Sequence, residues 1–349
     1  FLSKLPLSVP DSLVLSFGSQ IYDQMQSLVD EHGDLQLRAF LSIIVNGVTE
    51  KVESEIESLA PGFLTILTQT CEEINSTNAN IYSHDDVIAA ICNILYHTGQ
   101  LSQPFVPRLL DIAMNGISTQ NSNLTRISAV LLSYLFKIFG LNLIDSASDV
   151  ISSLIDSLVT QNNISTLFYI FHSLNTIFNL GSNSENSAEI YRAIGEILLP
   201  RREELMNIST NLIPLFGNFV KDNREDACSL FCELLELFIS IMKVYEFEKT
   251  HNPQMISSLL PSEFIVFYMD SFIEIIQKGN ENNLFDTEIG LTFCDYISQI
   301  FTTFGSSYQM NVKIHKPSFN YYFKKSLSSE SPELGKTAYY IKERIYDKA

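Results

Sequence analysis

Residues 103–140 read QPFVPRLLDIAMNGISTQNSNLTRISAVLLSYLFKIFG, and this stretch decides the fold. It contains two apolar segments with helical periodicity, separated by a polar break. The first segment carries Pro104 and Pro107 at its start, and proline is tolerated in the first turn of a helix. The second segment is followed by Gly140, a residue type that commonly ends helices. The stretch therefore predicts two consecutive antiparallel helices.

The second of these segments is apolar on more than one face. One face is marked at helical spacing by Leu124, Ile127, Leu131, Tyr134, Leu135 and Ile138. A helix with apolar residues on its other faces too is covered on several sides. Ile127–Ile144 is also the most membrane-like stretch of the chain, but it contains Lys137 and is only about long enough to span a bilayer. We interpret it as a buried helix and expect no membrane insertion.

The same two helix types alternate along the preceding sequence. Helices that begin with a capping Asp or Asn and end near Gly47, Gly99 and Gly140 are predicted over Asp34–Val48, Asp85–Thr98 and Asn123–Phe139. Helices introduced by proline or polar residues are predicted around 59–67, 103–112 and 146–160, and a further helix over Ile164–Leu180. Alternation of this kind predicts a repeated two-helix unit.

The spacing of matching residues gives the repeat length. Ala39, Ala90 and Ala129 are 51 and 39 residues apart, and Pro61 and Pro107 are 46 apart. These steps bracket the period of about 40–47 residues that HEAT and armadillo units have. Beyond residue 181 the pattern is longer and less regular. There we predict helices over Glu196–Lys221, Glu225–Lys249, Ser262–Lys278, Asp286–Phe304, Pro317–Ser326 and Ser331–Lys348.

The paired segments VESEIESLAPGFLTIL with DDVIAAICNILYHTG, and QPFVPRLLDIA with NLTRISAVLLSYLFKIFG, resemble HEAT repeats. In that family a proline-marked outer helix packs on an inner helix that carries small residues. The resemblance implies an all-α fold, an α-solenoid (superhelix) of HEAT-like antiparallel helix pairs. We expect a single array over 1–349, a piece of a longer one, with regular repeats over 34–181 and irregular helix pairs over 182–349.

Among HEAT proteins the chain is most similar to the importin-β/exportin (karyopherin) family of nuclear transport receptors, through its acidic charge, its irregular unit length and its QPFVPRLLDIA segment. That resemblance implies binding of cargo and a Ran-type GTPase, contacts to Phe-Gly nucleoporins, and a cytoplasmic and nuclear location. The alternative is a non-transport HEAT scaffold or adaptor subunit of a multiprotein assembly. Both alternatives bind proteins.

The chain is strongly acidic, with 40 Asp and Glu against 22 Lys and Arg and a formal net charge of −18. Nucleic acid and anionic membranes require a basic surface, so neither is an expected direct partner. The charge fits partner proteins with basic segments, although it also serves solubility alone.

The candidate protein-binding residues are acids near helix starts or on a shared helical face: Asp85, Asp86, Asp222, Glu225, Asp226, Glu233 and Glu236. Acids at a helix N-terminus stabilise the helix dipole, which accounts for Asp85, Asp86, Glu225 and Asp226 without any ligand. Glu233 and Glu236 are three residues apart, and we predict that they form an exposed stripe able to meet a basic segment.

No constellation for catalysis is found in the sequence. It lacks a phosphate-binding loop, a dinucleotide fingerprint, a nucleophile elbow and a His-Glu-x-x-His motif. The five cysteines lie in apolar segments, which predicts buried thiols, and Cys228 and Cys232 would need two further ligands to hold a metal. His84 and His97 are interpreted as structural. We therefore expect neither an enzyme nor a bound cofactor or metal.

Overall fold

The computed structural model describes residues 10–31, 33–77, 84–119, 121–183, 187–212, 215–216, 224–251, 287–304, 323–324, 326–328 and 331–346. Over these residues the chain is all-helical and contains no strand, as predicted. The α-helices described are α1 Asp11–Asp30, α2 Leu35–Val52, α3 Ala60–Thr77, α4 His84–Thr98, α5 Val106–Ile117, α6 Ser122–Phe139, α7 Ala147–Thr160, α8 Ile164–Phe178, α9 Ser187–Leu212, α10 Arg224–His251, α11 Thr287–Phe304 and α12 Pro332–Tyr346.

The chain divides into two compact units, Phe1–Ser157 and Leu158–Ala349, which we call unit 1 and unit 2. The boundary falls near the end of α7. The single array predicted over 1–349 stays a prediction. The helix predicted over Ser262–Lys278 lies outside the described residues, and so does most of Pro317–Ser326.

The helices of unit 1 contact one another in two rows. α2 packs against α4 and α4 against α6, while α1 packs against α3 and α3 against α5. Within each successive pair, α1 contacts α2, α3 contacts α4, and α5 contacts α6. Ala39, Ala90 and Ala129, whose spacing gave the repeat length, are fully buried on α2, α4 and α6. Small side chains at these positions allow neighbouring helices to approach closely.

Polar side chains also link neighbouring helices of unit 1. Arg108 of α5 donates to Glu72 of α3 through two hydrogen bonds of 2.6 Å, which lower the pKa of Glu72. The Asn93 amide of α4 donates to Asn46 Oδ1 of α2 at 3.0 Å. Such contacts fix the register of each helix against the next member of its row.

Of the three predicted capping residues, Asp34 caps its helix, whereas Asp85 lies in the first turn of α4 and Asn123 lies inside α6. The side chains of Asp34 and Asn163 accept backbone N–H groups at the starts of α2 and α8. The start of α6 is capped by Asn121 rather than by the predicted Asn123, because Asn121 is extended and its amide oxygen accepts from two following N–H groups. Sequence spacing alone did not separate these two asparagines.

The ends of the first row of helices show a repeated backbone device. Gly99 and Gly140 follow α4 and α6, as predicted, and both have positive φ, but α2 runs through Gly47 and ends at Val52. The equivalent positive-φ position is Glu53, at φ 47°. A 3-10 segment begins at each of Glu53, Gly99 and Gly140, at spacings of 46 and 41 residues.

In unit 2, α10 is the central helix. It packs against α8, α9 and α11, and α11 packs against α12. The helix predicted over Glu196–Lys221 is found as α9, Ser187–Leu212, with Pro200 inside it. The side chains of α10 that fill the core are Leu230, Phe231, Leu234, Leu235 and Leu237, all fully buried. Because α10 is covered on several sides, it needs apolar side chains around most of its circumference.

The five cysteines are buried thiols, as predicted, and none of them forms a disulfide. One helical stretch in the described residues, Ser122–Thr160, is long and apolar enough to cross a membrane by length and composition. Just over half of the most apolar part of this stretch is buried inside the protein. Core helices of soluble proteins meet the same criteria of length and composition.

Candidate partner-binding surface

Glu233 is buried, so the prediction that it belongs to an exposed stripe is wrong. It lies on the face of α10 that packs against α8 and is only 9% exposed. Its carboxylate accepts a hydrogen bond from Asn175 Nδ2 at 2.6 Å and contacts His172 Nδ1 at 2.7 Å. A buried carboxylate needs such partners, because desolvation without them is costly. Glu233 therefore joins α8 to α10.

Glu236 is exposed, as predicted, and lies in a groove of unit 2. This acidic groove, as we call it, has a volume of about 570 Å³. It is lined by Asn179, Glu236, Ile239, Ser240, Lys243, Asp295, Ser298 and Gln299. The α10 residues recur at intervals of three and four, so they share one face of that helix. The remaining lining residues come from α11 and from the residue that follows α8.

Asp295 lines the acidic groove together with Glu236 and was not predicted as a site residue. It is the only charged residue of α11 besides Glu288, and it is exposed within a helix that is otherwise uncharged after its first turn. An acid isolated in such a helix is the sequence signal that could have found it. Lys243, the basic residue of the groove, interacts electrostatically with both carboxyls.

The acidic groove holds its carboxyl groups in a setting that disfavours their charge. Partial desolvation raises the pKa of Glu236, and the neighbouring Glu233 raises it further, against the effects of His172 and Lys243. Desolvation also raises the pKa of Asp295, and Lys243 opposes that shift. Both side chains reach solvent, so the groove walls remove only part of their hydration. A cation that enters the groove gains from both carboxylates.

The other predicted acids do not join this groove. Glu225 and Asp226 lie in the first turn of α10, where their charge favours the helix dipole. Glu225 is 11 positions from Glu236, roughly 16 Å along the helix. Asp222 lies outside the described residues.

Asp85 and Asp86 belong to unit 1, in the first turn of α4. Arg126 of α6 forms a salt bridge with Asp85, so this acid links two neighbouring helices of one row. His84 is buried, and burial lowers its pKa to about 4, which agrees with the structural role predicted for it.

Unit 1 has a groove of its own, of about 450 Å³, over the row formed by α2, α4 and α6. Its lining includes the hydrogen-bonded pair Asn46 and Asn93 and the exposed ring of Tyr96, which contacts His97 edge to face. Glu50 and Lys137 give it charges of both signs. A mixed lining of this kind provides no single charge preference.

Within the described residues there is no group of three or more His, Cys, Asp or Glu side chains placed to hold a metal ion. Cys228 and Cys232 are buried in the core of unit 2, which is the packing role predicted for them. No protein-family model matches this chain, and no curated protein matches it either.

Proposed function

We propose that this chain is a protein-binding helical-repeat receptor, an α-solenoid of HEAT-like antiparallel helix pairs. The observation that carries the proposal is the two-row packing of unit 1, where α2, α4 and α6 contact in order and so do α1, α3 and α5. In repeat proteins each unit contacts its neighbours in sequence, and the exposed side of one row becomes an extended binding surface.

The junctions between helices support the same proposal. A positive φ recurs at Glu53, Gly99 and Gly140, each at the start of a 3-10 segment that leads from one row to the other. The spacings of 46 and 41 residues fall within the HEAT period of about 40–47. A device that repeats with the helix pairs is expected of a repeat array.

The charge of the chain favours partner proteins with basic segments. The sequence resemblance makes a nuclear transport receptor the first class to test, one that binds cargo, a Ran-type GTPase and Phe-Gly nucleoporins in the cytoplasm and nucleus. The second class is a non-transport HEAT scaffold or adaptor subunit. We propose neither an enzymatic activity nor direct binding of nucleic acid.

A binding experiment with the full chain separates the two classes. The immobilised chain is incubated with Ran loaded with a non-hydrolysable GTP analogue or with GDP, and separately with Phe-Gly repeats or matched Ser-Gly repeats. A transport receptor retains the GTP form and the Phe-Gly repeats. Loss of both, with other proteins still captured from the source cell, favours the scaffold. Retention of no protein at all contradicts the proposal.

A further inference from the structure

We infer that the acidic groove of unit 2 binds an arginine side chain of a partner segment, with the guanidinium between Glu236 and Asp295. The inference rests on the proposed function, because it names the chemistry of a protein partner. It goes further by assigning the site to one groove and by identifying Asp295, Ser240 and Lys243 as members of it.

The two carboxylates provide the charge. Glu236 is on α10 and Asp295 on α11, and these helices pack side by side. Neither carboxylate forms a salt bridge with another described residue. Both groups are partly desolvated, which raises the pKa of each and makes a neighbouring cation favourable. Two acids that line one groove, neither of them held in a salt bridge, leave room for a cation supplied from outside.

Ser240 is an independent observation that points to a ligand. It lines the acidic groove and is 1% exposed, yet its hydroxyl has no hydrogen-bond partner. Two other buried helical serines of unit 2, Ser173 and Ser209, donate to the carbonyl four residues earlier. Buried hydroxyls normally form hydrogen bonds. The Ser240 hydroxyl can both donate and accept one, and it does neither in the protein. A ligand N–H group can supply its partner.

The remaining lining residues favour arginine over lysine. Gln299 Nε2 donates to Glu246 and to Thr303, both at 3.1 Å, so its Oε1 remains as an acceptor. Acceptors therefore lie on two helices rather than at one point. Arginine presents five N–H donors in a planar fork, whereas lysine presents a compact ammonium group. A guanidinium can bond to several of these acceptors at once.

Lys243 lines the same groove and competes with an incoming arginine for the two carboxylates. Its ammonium group interacts with both Glu236 and Asp295 without closing a salt bridge to either. An incoming guanidinium must displace the Lys243 ammonium group from the two carboxylates or share them with it. Removal of Lys243 therefore strengthens binding, while removal of either acid weakens it. These opposite signs distinguish a binding site from residues that merely stabilise the fold.

The test measures fluorescence anisotropy of a peptide with three arginines in a Gly-Ser background, carrying a neutral dye. The full chain is compared with Glu236→Gln, Asp295→Asn, Ser240→Ala and Lys243→Gln. Matched controls are Glu225→Gln, on the same helix, and Lys137→Gln, in unit 1. Peptides with lysine or citrulline at the arginine positions report charge and donor geometry, and circular dichroism checks that each variant is folded.

We expect the Kd to rise about tenfold for each acid variant and about threefold for Ser240→Ala, and to fall about fivefold for Lys243→Gln. Both controls stay within about twofold of the wild type. The lysine peptide binds about fivefold more weakly than the arginine peptide, and the citrulline peptide at least about tenfold more weakly.

Equal weakening by Glu225→Gln and Glu236→Gln would overturn the inference, because it would mean that the peptide reads only the overall charge. Unchanged binding in the two acid variants, or a citrulline peptide that binds as well as arginine, would overturn it too. If the full chain captures proteins but these variants fail the test, only the groove assignment falls. If it captures no protein, the proposed function falls with it.

Discussion

Asn175 of α8 donates hydrogen bonds to both the side chain and the main chain of Glu233 on α10, at 2.6 and 2.9 Å. The Asn175 amide thus joins α8 to α10. Of these, α10 lines the acidic groove, and α8 ends just before Asn179, which also lines it. The buried carboxylate depends on this amide, because His172, its other partner, is on the exposed edge of α8. The pair explains why a charged residue is tolerated in the core of unit 2.

Replacement of Asn175 by Ala is expected to lower the free energy of unfolding by about 2–3 kcal/mol, since it leaves a buried carboxylate without its main donor. Urea unfolding followed by circular dichroism measures the change. The exposed amide Asn142, replaced by Ala, serves as control and should cost less than about 0.5 kcal/mol. Similar losses for both variants would show that the Asn175 bond contributes little.

His84 makes the stability depend on pH. Burial lowers its pKa from 6.5 to about 4 in the folded chain, so below pH 6.5 the unfolded chain gains a proton that the folded chain does not. Folded stability is therefore lost as the pH falls from about 6.5 to about 4. The wild type should lose roughly 3 kcal/mol relative to His84→Gln between pH 7 and 4. If the free energy of unfolding falls equally with pH in the wild type and in His84→Gln, His84 is not the source of the pH dependence.

Glu53 occupies a backbone position that favours glycine, with φ 47° and ψ −120°. Replacement by Gly should raise the free energy of unfolding by roughly 1 kcal/mol, because only glycine adopts this conformation without strain. The midpoint of thermal unfolding should rise accordingly. The converse change, Gly99→Ala, should cost roughly 1–2 kcal/mol from the backbone alone, since a Cβ there meets no atom within 4 Å. If both changes destabilise, the junctions are not equivalent.

Ser240 and Ser209 make a matched pair of buried helical serines. Ser240→Ala removes an unpaired hydroxyl, whereas Ser209→Ala removes one that donates to Leu205 at 2.8 Å. We expect Ser240→Ala to leave stability unchanged or raise it, and Ser209→Ala to be less stable than Ser240→Ala by roughly 1 kcal/mol. Equal effects in chemical denaturation would indicate that Ser240 is already paired.

Much of the fold of unit 1 was predictable from its sequence. Asp34 caps α2 as predicted, and Ala39, Ala90 and Ala129 are buried at the predicted repeat positions. Gly47 misled the prediction, because an isolated glycine inside a helix resembles one that ends it. The true end needed the backbone angles of Glu53, and a glutamate gives no sign of positive φ in the sequence.

The site was less predictable, because it depends on which face of α10 each neighbouring helix covers. Glu233 and Glu236 are both acids among apolar residues, but α8 buries the first while the groove exposes the second. Asp295 comes from a helix some sixty residues further along the chain, so no local pattern links it to Glu236. Only packing in three dimensions brings the two carboxylates to one groove.

Quantitative capture of partner proteins from the source cell, with three versions of the full chain as bait, tests most directly whether the acidic groove binds partners. These are the wild type, the Glu236→Gln/Asp295→Asn double variant and the Glu225→Gln control. We expect at least one protein to be retained by the wild type and the control but reduced at least about tenfold on the double variant. Identical protein sets on all three baits, or none above an empty matrix, would contradict this expectation.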